Sequence, residues 1–147
     1  MAKVYTIGHS NRSLSTFMDL LRYYNIRMLI DVRRFPKSTK YPYFNRDSLQ
    51  RELDKLGIGY LWLGDLLGGF RRGGYEEYMK TEDYVEGINR LMSVIQNTNC
   101  NVAIMCSEKL WFRCHRRFIS DTLVGRGIEV IHIIGRGKTY RHRLKRV

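Results

Sequence analysis

Residues 101–106, NVAIMC, form an apolar run that leads directly into the polar stretch SEKLWFRCHRR at residues 107–117. Residues 28–32, MLIDV, show the same pattern, since two arginines follow them at once. Strands of a parallel sheet are buried on both faces and therefore appear as continuous apolar runs, without the alternation of a half-exposed strand. Both runs predict buried strands of a mainly parallel sheet.

Segments with the periodicity of amphipathic helices separate these strands. Leu14, Phe17 and Leu21 fall on one helix face. Asn45 and Thr81 are residue types that cap helix N-termini, and each precedes a run in which apolar side chains have helical spacing. Helices therefore alternate with strands along the predicted chain.

This alternation predicts βαβ units. Five strands are expected, the first in KVYTIG at residues 3–8 and the last in EVIHII at residues 129–134. The fold prediction is a single α/β domain over residues 1–147, a three-layer α/β/α sandwich with a mainly parallel five-stranded sheet, Rossmann-like in the broad sense. Residues 136–147 are expected to form a basic C-terminal tail after the last strand.

The charge balance is the strongest compositional feature. Lys and Arg number 26 against 14 Asp and Glu, which gives a formal net charge of +12 at pH 7. Such a field attracts polyanions, so the expected partner is a nucleic acid or a phosphorylated small molecule. No apolar run approaches the roughly 18–20 residues that cross a bilayer, and no signal peptide is recognised, so we expect a cytoplasmic location without a membrane partner. The three cysteines are expected to be free thiols there; the oligomeric state stays open.

Polar residues follow each predicted strand at the point where its apolar run ends. Because ligands of open α/β sheets bind outside the carboxyl ends of the strands, these residues predict a site at that edge. The residues that can supply a general acid and a general base are His9, Asp31, Glu108 and His115. The candidates for binding a substrate or its phosphate are Ser10, Arg33, Ser38, Cys106, Arg113 and Arg116.

Residues 33–46, RRFPKSTKYPYFNR, combine five Lys and Arg with four aromatic residues and contain no acid. Basic side chains bind phosphates, and aromatic rings stack on unpaired bases. A similar mixture recurs at residues 70–78 and in the C-terminal tail. The residues expected to contact nucleic acid are Arg34, Lys37, Lys40, Tyr41, Tyr43, Arg71, Arg72, Arg141 and Arg143. No helix-turn-helix, zinc-finger or RRM signature occurs, so sequence-specific reading of a duplex is not expected.

Four separated stretches together resemble the domain of unknown function family 488. They are YTIGHS at residues 5–10, LIDVRRFPKS at 29–38, LGG at 67–69 and MCSEKLWFRCHRRFI at 105–119. The resemblance implies an α/β protein of the bacterial or archaeal cytosol, and it implies site positions rather than a reaction. The matching positions are His9, Ser10, Asp31, Arg33, Pro36, Ser38, Gly68, Gly69, Cys106, Glu108, Cys114, His115 and Arg116.

These features predict an enzyme that binds a polyanion and acts by acid–base hydrolysis on nucleic acid or a nucleotide, including cleavage of a base or glycosidic bond. The alternative is a non-catalytic nucleic-acid-binding protein. In that case Asp31 and Glu108 pair with arginines in a structural network and carry out no chemistry.

Two further chemistries rank lower. Cys106 and Arg113 resemble the anion-binding loop of Cys-dependent phosphatases and sulfurtransferases, but the spacing is Cys-x6-Arg and no glycine lies between them. Cys106, Cys114 and His115 lack the close Cys pair of structural zinc sites, so we assign no metal ligand, and a metal site assembled from several strands stays open. No GxGxxG or GxxxxGK[ST] motif occurs, so no NAD or ATP cofactor is expected.

Overall fold

A computed structural model of the protein describes residues 2–144. Within them, six strands form one sheet in the order β3-β2-β4-β1-β5-β6. The strands are β1 (Lys3–Gly8), β2 (Ile26–Asp31), β3 (Gly59–Trp62), β4 (Asn101–Cys106), β5 (Glu129–Gly135) and β6 (Lys138–Arg141). Every neighbouring pair from β3 to β5 is parallel, and β6 runs antiparallel to β5. The prediction of a mainly parallel α/β fold is confirmed.

Helices cover both faces of the sheet. They are α1 (Leu14–Tyr23), α2 (Arg46–Lys55), α3 (Gly64–Leu67), α4 (Tyr75–Tyr78), α5 (Glu82–Asn97) and α6 (Arg116–Gly125), with 3-10 turns at Pro42–Phe44 and Trp111–Arg113. Phe17 of α1 and Leu49 of α2 belong to the apolar cluster on one face. Leu67, Ile88 and Ile119 of α3, α5 and α6 belong to the cluster on the other. The two clusters define the three layers of the predicted sandwich.

The sheet has one strand more than the sequence predicts. Residues 138–141 of the expected basic tail form β6, which pairs with β5 after a turn at residues 136–137. Gly137 adopts φ +71°, a conformation that glycine accepts at little cost, and so permits this tight turn. The prediction of five strands was wrong because β6, with the sequence KTYR, lacks the apolar run by which the other strands were recognised. The part of the tail at residues 145–147 lies outside the described residues.

Two predicted helix starts are correct in position but differ in their capping bonds. The Thr81 hydroxyl accepts a hydrogen bond from the Tyr84 backbone N–H at 3.3 Å and caps α5. Asn45 occupies the N-cap position of α2, yet its side chain makes no bond to that helix. Its Oδ1 atom instead accepts from the Ser38 backbone N–H at 2.5 Å and holds the loop before α2.

Candidate active site at the carboxyl edge of the sheet

The strand register brings three strand ends to the same level. Strand β4 lies between β1 and β2, with Gly8 opposite Cys106 and Asp31 opposite Met105. The chain after β1 stays beside the chain after β4, since the backbone N–H of His9 donates to the Cys106 carbonyl at 2.9 Å. The carboxyl edge therefore gathers the polar residues that follow β1, β2 and β4.

A glycine is required where these two segments pass each other. A Cβ atom placed on Gly8 would lie 1.9 Å from the backbone oxygen of Glu108. No side chain fits at that distance, so Gly8 lets the segment after β4 lie directly on β1. This contact fixes the path of the residues that follow Cys106.

The carboxylate of Asp31 is fully occupied by hydrogen bonds. Arg33 contacts it through Nε at 2.9 Å and through NH2 at 2.7 Å, and the Arg33 backbone N–H donates to it at 3.0 Å. The Tyr60 hydroxyl donates to its second oxygen at 2.6 Å. Burial and the adjacent Asp31 raise the pKa of Tyr60, which keeps that hydroxyl a donor. Both members of the ion pair are buried, so Asp31 is placed to hold Arg33.

His9 is a neutral member of the same cluster. Its Nδ1 atom lies 3.0 Å from the Ser10 carbonyl and donates to it, while Nε2 lies 3.4 Å from Arg33 NH1 and accepts. Burial, with a smaller effect from Arg33, lowers the pKa of His9 to about 4. The ring stacks on Phe44 with 4.4 Å between centroids. His9 therefore positions Arg33 from the side opposite Asp31.

Two thiols meet at the end of β4. The Sγ atoms of Cys106 and Cys114 lie 2.9 Å apart, and both cysteines are free. Cys106 is buried, whereas Cys114 is half-buried and faces a cavity. Burial alone would raise the pKa of Cys106, but the thiol of Cys114 donates to its sulfur and the cation of Arg116 acts on it, so that its pKa is lowered overall. The same sulfur–sulfur contact, with burial, raises the pKa of Cys114.

Arg116 is a fully buried cation beside this pair. Its NH2 group donates to the backbone oxygens of Glu108 at 2.9 Å and Lys109 at 3.2 Å. Its NH1 group donates to the Thr6 hydroxyl at 3.1 Å. Its Nε atom is buried and has no hydrogen-bond partner within residues 2–144. Arg116 thus holds the segment after Cys106 and places its positive charge near the sulfurs.

A chain of hydrogen bonds, absent from the sequence prediction, continues from Arg116 to the surface. The Thr6 hydroxyl donates to His132 Nδ1 at 2.5 Å, and His132 Nε2 lies 2.9 Å from His142 Nδ1. His142 Nε2 in turn lies 2.6 Å from an oxygen of Asp121. One set of neutral tautomers satisfies every link, and burial, with smaller effects from Arg116 and His142, lowers the pKa of His132 to about 2. The one signal in the sequence is His132 itself, which interrupts an otherwise apolar strand.

His115 lies between the thiol pair and β2. Its Nε2 atom donates to the Val32 carbonyl at 3.0 Å, which leaves Nδ1 unprotonated and 3.4 Å from the Cys114 sulfur. Burial is the main cause that lowers the pKa of His115 to about 4. A neutral imidazole therefore lies beside the Cys114 sulfur, whose thiol hydrogen is directed to Cys106.

A cavity of about 480 Å³ opens beside Cys114 and His115. Ser107 and Glu108 also line it, and Glu108 is exposed, with Oε1 3.4 Å from the Leu110 backbone N–H. The cations in its wall are Arg33, Arg34, Lys37, Arg113 and Arg117. The aromatic residues in its wall are Phe35, Phe70, Tyr75, Phe112 and Phe118. The cavity is therefore basic and aromatic at once.

Several predicted site residues lie elsewhere. Ser38, Lys40 and Tyr41 line a second, shallower pocket of about 460 Å³ together with His9 and Ser10. Asp31, Cys106 and Arg116 line neither pocket, because they are buried. The predicted nucleic-acid contacts that line neither pocket are Tyr43, Arg71, Arg72, Arg141 and Arg143.

Three of these residues have contacts of their own. The Tyr43 hydroxyl donates to the Arg12 carbonyl at 3.0 Å. Arg71 donates to the backbone oxygens of Gly68 and Asp65. Arg141 pairs with Glu129 at 3.6 Å. Arg71 therefore supports the loop that bears Phe70, whereas Arg141 belongs to the hairpin of β5 and β6.

Among the residues that the structure describes, no group of three His, Cys, Asp or Glu side chains is arranged to hold a metal ion. In the same part of the chain, every helix is too short or too polar to cross a membrane.

Comparison with known proteins agrees with the resemblance found in the sequence. The model of the family described as "Domain of unknown function DUF488" matches residues 13–123. The chain belongs to this family. In this DUF488 protein the matched range includes Asp31, Cys106 and Cys114, whereas His9 and His132 lie outside it. No curated protein and no solved structure matches the chain, so the family description, which names no activity, leaves the function to be argued from the site.

Proposed function

We propose that the cavity of this DUF488 protein binds a nucleotide, free or as an unpaired nucleotide of a nucleic acid, and that the protein hydrolyses it by acid–base chemistry. The observation that carries the proposal is that five cations and five aromatic rings line one cavity. Guanidinium and ammonium groups bind phosphate, and aromatic rings stack on bases. A pocket for phosphate alone has no use for the rings.

Phe70 supports the stacking role. Its side chain is 85% exposed, and its backbone adopts φ +60°, a conformation that a bulky side chain rarely takes. Arg34 NH1 donates to the Phe70 carbonyl at 2.5 Å and helps to hold this conformation. Strained backbone occurs most often at functional sites. An exposed ring held at the mouth of a basic cavity is suited to stack on a base.

Glu108 is the acid–base group in this proposal. It is exposed at the cavity wall, whereas Asp31 is occupied by Arg33 and Tyr60. In hydrolysis of a glycosidic bond, the oxygen of water bonds to the sugar carbon, Glu108 accepts a proton of that water, and the bonding electrons leave with the base. Arg113 and Arg117 hold the phosphate during this step. Asp31, His9 and His115 position Arg33 and the cavity wall.

Binding is tested by titrating a fluorescent single-stranded oligonucleotide at several salt concentrations. Replacing Phe70 with Ala should weaken binding about fivefold to 150-fold, because stacking contributes about 1–3 kcal/mol per base. Arg113→Ala should also weaken it and should reduce the salt dependence by about one phosphate contact. The matched controls are Tyr23→Ala and Arg51→Ala, which remove an exposed ring and an exposed cation outside the cavity. No binding at low salt, or equal losses in the controls, would refute the proposal.

Turnover is tested on the same oligonucleotides and on duplexes that contain a mismatched or deaminated base. Alkali treatment and a denaturing gel reveal strand cleavage or base loss. Glu108→Gln should bind as the native protein does and form no product. Binding by the native protein without product would instead support the non-catalytic nucleic-acid-binding alternative, in which the cavity holds an unpaired base and no bond is broken.

A further inference from the structure

The contact between Cys106 and Cys114 has no part in nucleotide hydrolysis. Their sulfurs lie 2.9 Å apart, and a disulfide bond is about 2.05 Å long. Bond formation therefore requires the two sulfurs to approach by about 0.9 Å. The two cysteines lie at the end of β4 and just before α6, both of which are fixed by packing. The thiols are thus held together by the fold.

The surroundings of the pair stabilise a negative charge on sulfur. Arg116 acts on Cys106, and its buried Nε atom has no hydrogen-bond partner within residues 2–144. The Arg116 backbone N–H, at the start of α6, lies 3.4 Å from the Cys114 sulfur and donates to it. A thiolate is the reactive form of cysteine, and a nearby cation and a helix N-terminus both favour it. Arg116 and the N-terminus of α6 therefore favour a state in which the two sulfurs share one proton and carry one negative charge.

The two sulfurs differ in access. Cys114 lines the cavity, so a dissolved reagent reaches it directly. Cys106 is 1% exposed and is reached through Cys114. This difference in access is typical of a pair in which one cysteine reacts with the reagent. The second cysteine then displaces the reagent from the mixed disulfide.

We propose that Cys106 and Cys114 form a reversible redox pair that exchanges with low-molecular-weight disulfides. At rest Cys114 holds the shared proton and donates it to Cys106. When that proton transfers along the hydrogen bond to Cys106, the Cys114 thiolate attacks one sulfur of the reagent, forms a mixed disulfide and releases the first reagent thiolate. That thiolate takes the proton from Cys106. The Cys106 thiolate then attacks the Cys114 sulfur, forms the internal disulfide and releases the second reagent thiolate. The pair loses two electrons and the reagent disulfide gains them.

The redox state of the pair changes the wall of the cavity. Glu108 and Arg113 lie in the segment between the two cysteines, and this segment lines the cavity. The internal disulfide closes residues 106–114 into a covalent loop and removes the thiol that faces the cavity. A ligand that contacts this wall therefore binds the two redox states with different affinity.

The test uses the full chain in glutathione buffers that range from reduced to oxidised, followed by acid quenching, alkylation of free thiols and peptide mass mapping. Native protein should show three alkylated cysteines in reduced buffer. In oxidised buffer only Cys100 should be alkylated, and one peptide pair should link Cys106 to Cys114. Dithiothreitol should restore the first pattern. A pair that stays fully alkylated in the most oxidised buffer overturns the proposal, and this result needs no variant.

Variants test the order of the steps. Cys106→Ser should trap one glutathione on Cys114, because nothing resolves the mixed disulfide. Cys114→Ser should leave Cys106 unmodified in the folded protein, since its sulfur is buried. Cys100→Ser, which removes a thiol distant from the cavity, should react as the native protein does. Glutathione trapped on Cys106 in Cys114→Ser, at the rate seen for Cys114, would overturn the assigned roles. Because nucleotide does not enter these assays, their outcome is independent of the proposed hydrolysis.

Discussion

The ends of β2 and β4 are neighbours, yet their ionisable groups differ in how far they are hydrogen-bonded and how open they are to a ligand. At the end of β2, every oxygen of Asp31 is hydrogen-bonded, and Arg33 is held by Asp31 and His9. At the end of β4, Cys114 and Glu108 face an open cavity, and Arg116 keeps a buried donor without a partner in the described chain. Both ends carry charges that the sequence marks as candidates.

This difference distinguishes groups that stabilise the fold from groups that can react with a ligand. A buried carboxylate with all its lone pairs occupied has no capacity left for a substrate proton, and its energetic role is to neutralise the adjacent cation. In contrast, the Cys114 thiol and the Glu108 carboxylate at the cavity wall can still form bonds to a ligand. We therefore interpret the β2 end as the frame that holds Arg33 and the β4 end as the reactive side. Four predictions test this interpretation, in order of decreasing effect on stability.

The largest effect is expected for Asp31→Asn. The substitution leaves Arg33 buried without its countercharge, and breaking a buried ion pair costs about 3–5 kcal/mol. Urea unfolding should show this loss in the free energy of unfolding. The matched control is Glu77→Gln, which breaks an exposed pair with Lys80 and should cost less than about 1 kcal/mol. A variant that unfolds like the native protein but no longer turns over nucleotide would make Asp31 catalytic and reverse the comparison.

Acid should destabilise the cluster of Asp31, Arg33 and His9, because it protonates His9. Its pKa is about 4 in the folded protein and about 6.5 in the unfolded chain, so the unfolded chain binds more protons between these values. Stability therefore falls as the pH falls, by about 2 kcal/mol for this histidine between pH 7 and pH 5. His9→Gln keeps a donor and an acceptor and should remove that part of the slope. An unchanged slope would mean that His9 becomes charged within the folded structure.

Tyr60→Phe tests how completely Asp31 is occupied. The variant removes one hydrogen bond of 2.6 Å to the carboxylate and keeps the ring. A hydrogen bond to a charged group contributes about 1.5–3 kcal/mol, and Arg33 still neutralises Asp31, so we expect a loss near the lower value. Thermal unfolding at pH 7 measures it. A loss as large as that of Asp31→Asn would show that the hydroxyl, and not Arg33, stabilises the carboxylate.

The smallest effect on stability is expected for Glu108→Gln at the β4 end. The side chain is exposed, and exposed substitutions of this kind change the free energy of unfolding by less than about 0.5 kcal/mol. The variant should melt as the native protein does while losing nucleotide turnover. Clear destabilisation would place Glu108 in the structural frame together with Asp31.

Local patterns predict the architecture and the edge of the sheet that carries the site. The apolar runs of β2 and β4 and the helical periodicity between them depend only on nearby residues, so they are visible in the sequence. The polar residues that follow those strands meet because parallel strands end at one edge. Gly8, needed for the close approach to Glu108, is also in the motif that carries the family resemblance.

The remaining features depend on contacts between distant residues. Thr6, Arg116, His132 and His142 form one hydrogen-bonded chain although the first and last are more than a hundred positions apart in sequence. No spacing rule connects them. In the same way, the sequence favours Asp31 as an acid–base group and leaves its role as a partner of Arg33 as the alternative, because the spacing of the two residues does not show how their side chains meet.

The hairpin of β5 and β6 also determines which strand lies at one edge of the sheet. An unpaired strand at the edge of a sheet offers free backbone groups to another molecule, and charged side chains on a short edge strand oppose such pairing. Strand β6 has four residues, all exposed, with Lys138 and Arg141 among them. At the opposite edge, β3 also has only four residues. Both edges of this otherwise apolar sheet are thus poor templates for strand-to-strand aggregation.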